Sequence, residues 1–576
     1  MLKLIRYYAR YAWAIVLIIA LLFAQAMTDL ALPDYMSKIV DTGIVGQDIH
    51  YILTTGLGML GLSLLGAICS IAVGYLAAMV AAKTSMRMRD DIFVKVENFS
   101  NPEFDKFSTA SLITRSTNDI QQIQMLTVML LRIVFYAPIM GIGGIIRAVG
   151  KSSSMSWIIA LAVVVILGLM LTLFAITMPR FKKVQKMVDR LNLIMRERLS
   201  GIMVIHAFNT QEHEQVRFDG ANKDLTKLNL FVNRMMVLMM PVMNLVMNGV
   251  SLLIMWIGAQ AINGGSLQIG DLMAFIQYTM QIIMSFIMVT SMFIMWPRAS
   301  VSAQRINEVL QTEPSILDPE NPKPFDENQK GRIEFRNVSF RYPNATNDVL
   351  TDITFTANPG ETTAFIGSTG SGKSTLVNLI PRFYDTTEGE VLVDGVDIRD
   401  VRQHDLRDRL GYIPQKGVLF SGTIGTNLRY AKEDATDAEL EQAAEIAQAS
   451  EFIHAKPEGY ETPIAEGGTN VSGGQKQRLS IARALVKQPE IYIFDDTFSA
   501  LDFKTDSALR KALKTQTEGA TVLIVAQRIS TIKQADKIIV LDEGQIAGIG
   551  KHEELMQNCA VYQEIAYSQL TKEELA

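Results

Sequence analysis

The chain of 576 residues is 49% hydrophobic and only 20% charged, with a formal net charge of −5. At ~100–200 residues per domain it is too long for one ordinary domain, and so few charges beside so much apolar residue exclude a wholly soluble surface: part of it is read as buried in lipid. The negative balance argues against nucleic acid as a partner, since phosphate binding needs a basic face, and two cysteines, Cys69 and Cys559, cannot build a disulfide framework.

From the N-terminus, residues 11–27 form an apolar run behind Lys3, Arg6 and Arg10. A signal peptide shares that outline, but no small-residue cleavage site follows, and Gln25, Asp29 and Asp34 look like the wet end of a retained helix. The stretches 49–82, 152–179, 235–270 and 272–297 carry no charge, and each exceeds the ~20 residues that a helix needs to cross ~30 Å of hydrocarbon. Buried helices of a soluble protein fail as an alternative, being ~8–20 residues long with a polar face. Residues 125–146, interrupted by Arg132, complete a set of six spans expected at about 11–36, 50–82, 120–148, 152–179, 235–262 and 271–297.

Arg132 reads as a snorkelling cation at a span boundary or as a cavity-facing one. Asp29, Asp34, Asp41 and Asp48 read as a wet loop or as a gate. Met239, Met240, Met243, Met247, Met284, Met288 and Met292 are either lipid-compatible filler or the lining of an adaptable apolar cavity. The loops 83–119 and 180–234 are long and rich in Lys and Arg, so the positive-inside rule places them and both termini in the cytoplasm. The expectation is a multi-pass protein of the cytoplasmic membrane, in contact with lipid.

Composition changes at Glu313. Residues 313–330 hold Pro314, Pro319, Pro322 and Pro324 among polar residues and read as a linker between a membrane domain over 1–312 and an α/β domain over 331–576. Strands are expected at 332–342 and 362–366, with glycine-rich turns leading into helices.

Gly367, Ser368, Thr369, Gly370, Ser371, Gly372, Lys373 and Ser374 fit the P-loop pattern G-x-x-x-x-G-K-S/T, with strand composition before it and a helix expected from about Lys373. Its glycines let backbone N–H groups face a β-phosphate, the helix N-terminus adds its dipole, Lys373 reaches the β/γ oxygens and the Ser374 hydroxyl holds Mg²⁺. Residues 491–495 form a buried strand ending in Asp495, a carboxylate suited to the Mg²⁺ shell. Between them lie Gln415 at a strand end and Ser472, Gly473, Gly474 and Gln475 opening a helix.

On these residues the chain resembles one half of an ABC exporter over nearly its whole length. The resemblance makes 367–375, including Thr375, the Walker A loop, Gln415 the Q-loop, Ser472 to Gln475 the signature, Asp495 the end of Walker B and 499–502 the D-loop. It makes Tyr342 the aromatic that stacks on adenine, and Ser374, Gln415 and Asp495 the holders of Mg²⁺, partly through water. It extends to the membrane half, through residues 111–119 and 197–201 in the two long loops, so the implied fold is a six-helix exporter domain fused to an α/β P-loop nucleotide-binding domain. It further implies a dimer with two ATP molecules, each held between one chain's Walker A and the other chain's signature.

Two positions depart from the family pattern. Asp496 stands where a glutamate serves as general base, and Gln527 where the switch histidine is expected. An aspartate falls ~1 Å short of in-line water activation, and glutamine carries no charge at any pH. With the phosphate-holding residues kept, this is similar to heterodimeric bacterial multidrug exporters in which one subunit supplies an incomplete site. The expected partner is therefore a homologous half-transporter with the complete glutamate and histidine, and the expected cargo a hydrophobic or amphipathic small molecule. The alternative is a homodimeric exporter of lipid or peptide with slow sites.

Overall fold

The structure, a computed structural model, describes residues 6–343 and 345–570. The chain divides into two compact units, Met1–Glu97 with Thr109–Thr312, and Asn98–Ser108 with Glu313–Ala576.

Among the described residues of the first unit, six helices are long and apolar enough to cross a membrane: Ala12–Ile44, Ile49–Glu97, Thr109–Lys151, Ser156–Ser200, Gln211–Asn263 and Ile269–Val289. Several outrun the uncharged stretches. Ile49–Glu97 has 49 residues and Gln211–Asn263 has 53, or about 74 and 80 Å at ~1.5 Å per residue against ~30 Å of hydrocarbon. Charge marks where lipid ends, whereas the i→i−4 ladder continues into water wherever nothing breaks it. The third span contains two π-helical segments, Arg115–Asp119 and Leu130–Val134.

The acids at the end of the first span are bonded rather than loose. Asp34 pairs with Arg147 at 3.0 Å and Lys151 at 3.2 Å, and Lys151 also reaches Asp271 at 2.8 Å. Asp41 accepts from the Gly270 backbone N–H at 2.6 Å, Tyr136 donates to Asp29 at 2.6 Å, and Asp48 accepts from the Tyr51 N–H at 2.9 Å, capping the second span. Asp29, Asp34 and Asp41 tie helix to helix, whereas Asp48 lies exposed after the turn between the first two spans, as the wet-loop expectation has it.

In the second unit, a six-stranded sheet runs in the order Gln545–Gly550, Lys537–Asp542, Thr362–Gly367, Thr521–Val525, Ile491–Asp495, Leu410–Ile413, parallel except for its first pair. Its strands alternate between two cores. Phe365, Ile493, Leu523 and Ile539 enter one; Ile366, Phe494, Ile524 and Val540 enter the other. Burial on both faces explains why these segments read as unbroken apolar runs. An antiparallel sheet, Leu350–Ala357, Ile333–Phe340, Glu388–Val393 and Val396–Asp397, adds to the first of these cores.

The first loop's helix Asn101–Lys106 belongs to this unit. Tyr384 donates to Asp105 at 3.0 Å, and Glu103 accepts from the Ser315 N–H at 3.2 Å. A boundary drawn from composition at residue 312 does not capture this segment.

Asp394, with no exposed side-chain surface, accepts from the Gly331 N–H at 2.6 Å and from Arg409 at 2.8 Å, while Arg409 also holds Glu490 at 2.8 Å and Glu327 at 2.9 Å. Burial pushes the Asp394 carboxyl up to about 6, against the Gly331 hydrogen bond and the Arg409 charge. Its folded pKa lies above the unfolded value, so the folded state takes up a proton as pH falls through 6. Stability from this group therefore rises toward acid and declines as pH rises through 6. Arg409→Met, which removes the cation shared by three carboxylates, should destabilise the unit by roughly 3 kcal/mol, and by more at pH 8 than at pH 5. Thermal unfolding of the purified variant at the two pH values checks this.

Candidate functional site

Four adjacent parallel strands end side by side. Val525 lies opposite Phe365 on one flank and Asp495 on the other, and Ile413 lies opposite Phe494. The segments leaving those ends, the loop from Gly367, Gln527, Asp496 and Gln415, are thereby gathered from distant parts of the sequence, at the strand ends where open α/β sheets bind ligands.

The phosphate loop turns through Gly370 and Gly372, with φ of 88° and 94°, into the helix Lys373–Leu379. A Cβ at Gly367 would lie 2.1 Å from the Leu541 carbonyl oxygen, so only glycine fits there. The buried Lys373 ammonium donates to Gly367 O at 2.9 Å, Ser368 O at 2.7 Å and Ser371 Oγ at 3.3 Å. Burial pulls its pKa below the ordinary lysine range, opposed by Asp496 and Asp495. The Ser374 hydroxyl donates to Asp495 Oδ1 at 2.8 Å. Asp495, 4% exposed, is raised by burial and lowered by that hydrogen bond.

Asp496 follows the strand in left-handed backbone, φ 46°. One carboxylate oxygen, Oδ2, accepts from both Gln415 Nε2 at 3.0 Å and Gln527 Nε2 at 2.6 Å. Thr369, Lys373, Ser374, Gln415, Asp496 and Gln527 line a common cavity of about 280 Å³.

These residues fit a Mg²⁺-bound nucleoside triphosphate. A buried ammonium destabilised by desolvation gains from a phosphate, and a buried carboxyl beside a hydroxyl gains from a cation. Tyr342 stands beside the loop, its hydroxyl 3.0 Å from Thr375 Oγ1 and its ring edge-on to Tyr384 at 5.2 Å.

The serine–glycine–glycine–glutamine group lies apart from that cavity's lining. Ser472 Oγ accepts from the Gln475 N–H at 3.3 Å and Gln475 Oε1 accepts from the Ser472 N–H at 3.0 Å, a capping box that starts the helix Gly473–Lys487. A Cβ at Gly473 would meet nothing within 4 Å, and one at Gly474 only Ala500 O at 3.4 Å and Leu501 at 4.0 Å. The chain itself therefore leaves room at both glycines.

Two supporting residues escaped the sequence reading. Gln477, 2% exposed, accepts from the Gly417 N–H at 3.0 Å and donates to Pro414 O at 3.1 Å, fixing the segment that carries Gln415. A glutamine two positions after Gln475, beside an apolar run, was the available signal. Gln569 donates to Gln527 O at 2.7 Å and accepts from the Ile529 N–H at 2.9 Å. No local pattern announces it.

Gly367→Ala should overpack the loop by about 1–3 kcal/mol, lowering the unfolding temperature and weakening MgATP binding at least about tenfold. Gly473→Ala should change neither. Calorimetry on the two purified variants separates them.

The chain matches the family model described as ABC transporter transmembrane region over residues 15–286 and that described as ABC transporter over 350–499. It is 40% identical to an uncharacterized ABC transporter ATP-binding protein of Mycobacterium tuberculosis, over 99% of this chain and 98% of that one. It is 33% identical to YheI of Bacillus subtilis, a probable multidrug resistance ABC transporter ATP-binding/permease protein, over 83% and 81%. A bacterial Atm1-family ABC exporter solved with ATP bound superposes with a TM-score of 0.79 at 26% identity, covering 98% of this chain and 99% of that one. Six apolar spans fused to an ATP-binding unit, and these likenesses over almost the full length, mean that the chain belongs to the ABC transporter family, as a multi-pass exporter half-transporter that couples ATPase activity to transport.

Proposed function

We propose that this chain is the degenerate-site subunit of a heterodimeric exporter of hydrophobic or amphipathic compounds across the cytoplasmic membrane, with its ATP-binding domain in the cytoplasm. One observation carries the reading: the carboxylate at the general-base position, Asp496, is one methylene short and is tied through Oδ2 to two neutral amides, Gln415 and Gln527. A base must reach the water in line, which the shorter side chain held at Oδ2 is poorly placed to do, and a neutral amide adds no charge where the γ-phosphate develops it.

The holding residues are all present. Lys373 and the loop N–H groups bind the β/γ-phosphates, Tyr342 stacks on adenine, and Ser374, Asp495 and, through water, Gln415 hold Mg²⁺. The cation, when bound, would neutralise charge on the phosphates. Ser472 to Gln475 serve the partner's Walker A across the dimer, which agrees with the room left at Gly473 and Gly474. ATP closes the two nucleotide domains, and hydrolysis at the partner's site resets them. The long loops transmit closure; the tip of the second exposes Met203, Val204 and Phe208. The name of the Bacillus subtilis relative supports a multidrug-type cargo.

A chain purified alone forms two sites that both lack the glutamate and the histidine, each with an intact signature. It should bind MgATP yet hydrolyse it at least about tenfold more slowly than the co-expressed pair, a barrier difference of ~1.4 kcal/mol or more. Equal rates would restore the homodimeric exporter.

In the pair, radiolabel retained on this chain's Walker A after one cycle should be mostly triphosphate; mostly ADP there would end the degenerate-site reading. Gly474→Ala should leave this chain's unfolding temperature unchanged while cutting the pair's ATPase rate at least about tenfold, whereas Asp496→Asn should cost little. The reverse ranking would show that hydrolysis depends on this chain's own carboxylate.

A further inference from the structure

The membrane unit holds a cavity of about 530 Å³ whose lining includes Arg132, Gln25, Ser70, Met125, Met129 and Met288. Arg132 lies fifteen residues before Arg147, the cation that pairs with Asp34 at one end of the bundle. At ~1.5 Å per residue the two are ~22 Å apart along the helix Thr109–Lys151, one of the six long enough to cross a membrane. It is exposed and lines this cavity, on the π-helical segment Leu130–Val134, a backbone feature that re-aims side chains and is frequent at functional sites.

Among the described residues Arg132 has no ion pair and no side-chain hydrogen bond, and no acid lines its cavity. The acids nearby along the first span are engaged elsewhere: Asp29 by the Tyr136 hydroxyl, Asp34 by Arg147 and Lys151. An arginine lining a cavity without a counter-charge is open to a ligand that supplies one through charge-assisted hydrogen bonds. Beside it, a second cavity of about 240 Å³ shares Tyr136 and Met288 with the first and is lined by Met140, Met247, Met280 and Met284. Flexible thioethers accommodate apolar bodies of varied shape.

We infer that these joined cavities take an amphiphile with one anionic group, carboxylate or phosphate, at Arg132 and an apolar body along the methionines. Calling that amphiphile cargo rests on the exporter reading; binding itself does not. A lipophilic cation is disfavoured, since it would meet the like charge of the guanidinium.

The test uses the full chain in phosphatidylcholine nanodiscs, with dansyl-aminoundecanoate and its methyl ester as probes. Arg132→Gln should weaken carboxylate binding at least about tenfold, Arg132→Lys should retain most of it, and the ester should bind all three alike. MgATP binding and unfolding temperature, unchanged across the variants, exclude misfolding as the cause. Displacement of the carboxylate by phosphatidylglycerol at membrane mole fractions assigns the site to a lipid headgroup; no displacement assigns it to cargo. Carboxylate binding unaffected by Arg132→Gln, or an equal loss for the ester, overturns the inference. Because the readout is binding and not turnover, its failure is distinguishable from failure of the ATPase predictions.

Discussion

The five parallel strands of the six-stranded sheet are buried on both faces, and that constraint governs the nucleotide-binding unit. Inside it every backbone N–H and C=O must be spent in the ladder, so polar chemistry can emerge only where strands stop. Val525 stands between Phe365 and Asp495, and Ile413 beside Phe494, so four strands stop together. Whatever follows each strand is delivered to the same place with the precision of a hydrogen-bonded register. The phosphate loop, Asp495 and Asp496, Gln415 and Gln527 become neighbours for this reason alone.

Within that place the electrostatics are unbalanced. Lys373 is pulled down and Asp495 pushed up by the same cause, burial, and each is only partly relieved by its present hydrogen bonds. A bound anion and cation would relieve both, so the loop, the lysine and the strand carboxylate form a site whose charged groups gain from filling it. Asp496 is held differently, by two amide donors on one oxygen. Amides do not titrate, so no change of pH releases that oxygen by altering their charge. Strong holding beside weak activation is the asymmetry from which the degenerate-site reading grows.

The parts of this site legible in the sequence are those whose physics is local. A P-loop needs its glycines, lysine and hydroxyl in consecutive positions, and a buried parallel strand announces itself by an apolar run ending in Asp495. Spans were legible because lipid excludes charge, although helix lengths such as that of Ile49–Glu97 were not, since the ladder ignores where lipid ends. Gln477 and Gln569 act on Pro414, Gly417, Gln527 and Ile529 through contacts that only folding brings about. The placement of Asn98–Ser108 with the second unit is of the same kind: Tyr384 and Asp105 are far apart in the chain.

The membrane unit shows the converse logic. There, charges are expensive unless partnered, and most are partnered: Asp34, Asp271, Arg147 and Lys151 form one network, and Asp41 takes a backbone N–H from Gly270. Such bonding joins the ends of several spans at modest electrostatic cost, because these pairs lie near the polar boundary. Arg132 stands ~22 Å from that network along its helix, beyond reach of its acids. A stabilised bundle would be expected to carry an apolar residue there, and among the described residues no side-chain bond would be lost if it did. Among the described residues the cation makes no bond that holds the fold together, and that is the asymmetry from which the proposal of an anionic ligand grows.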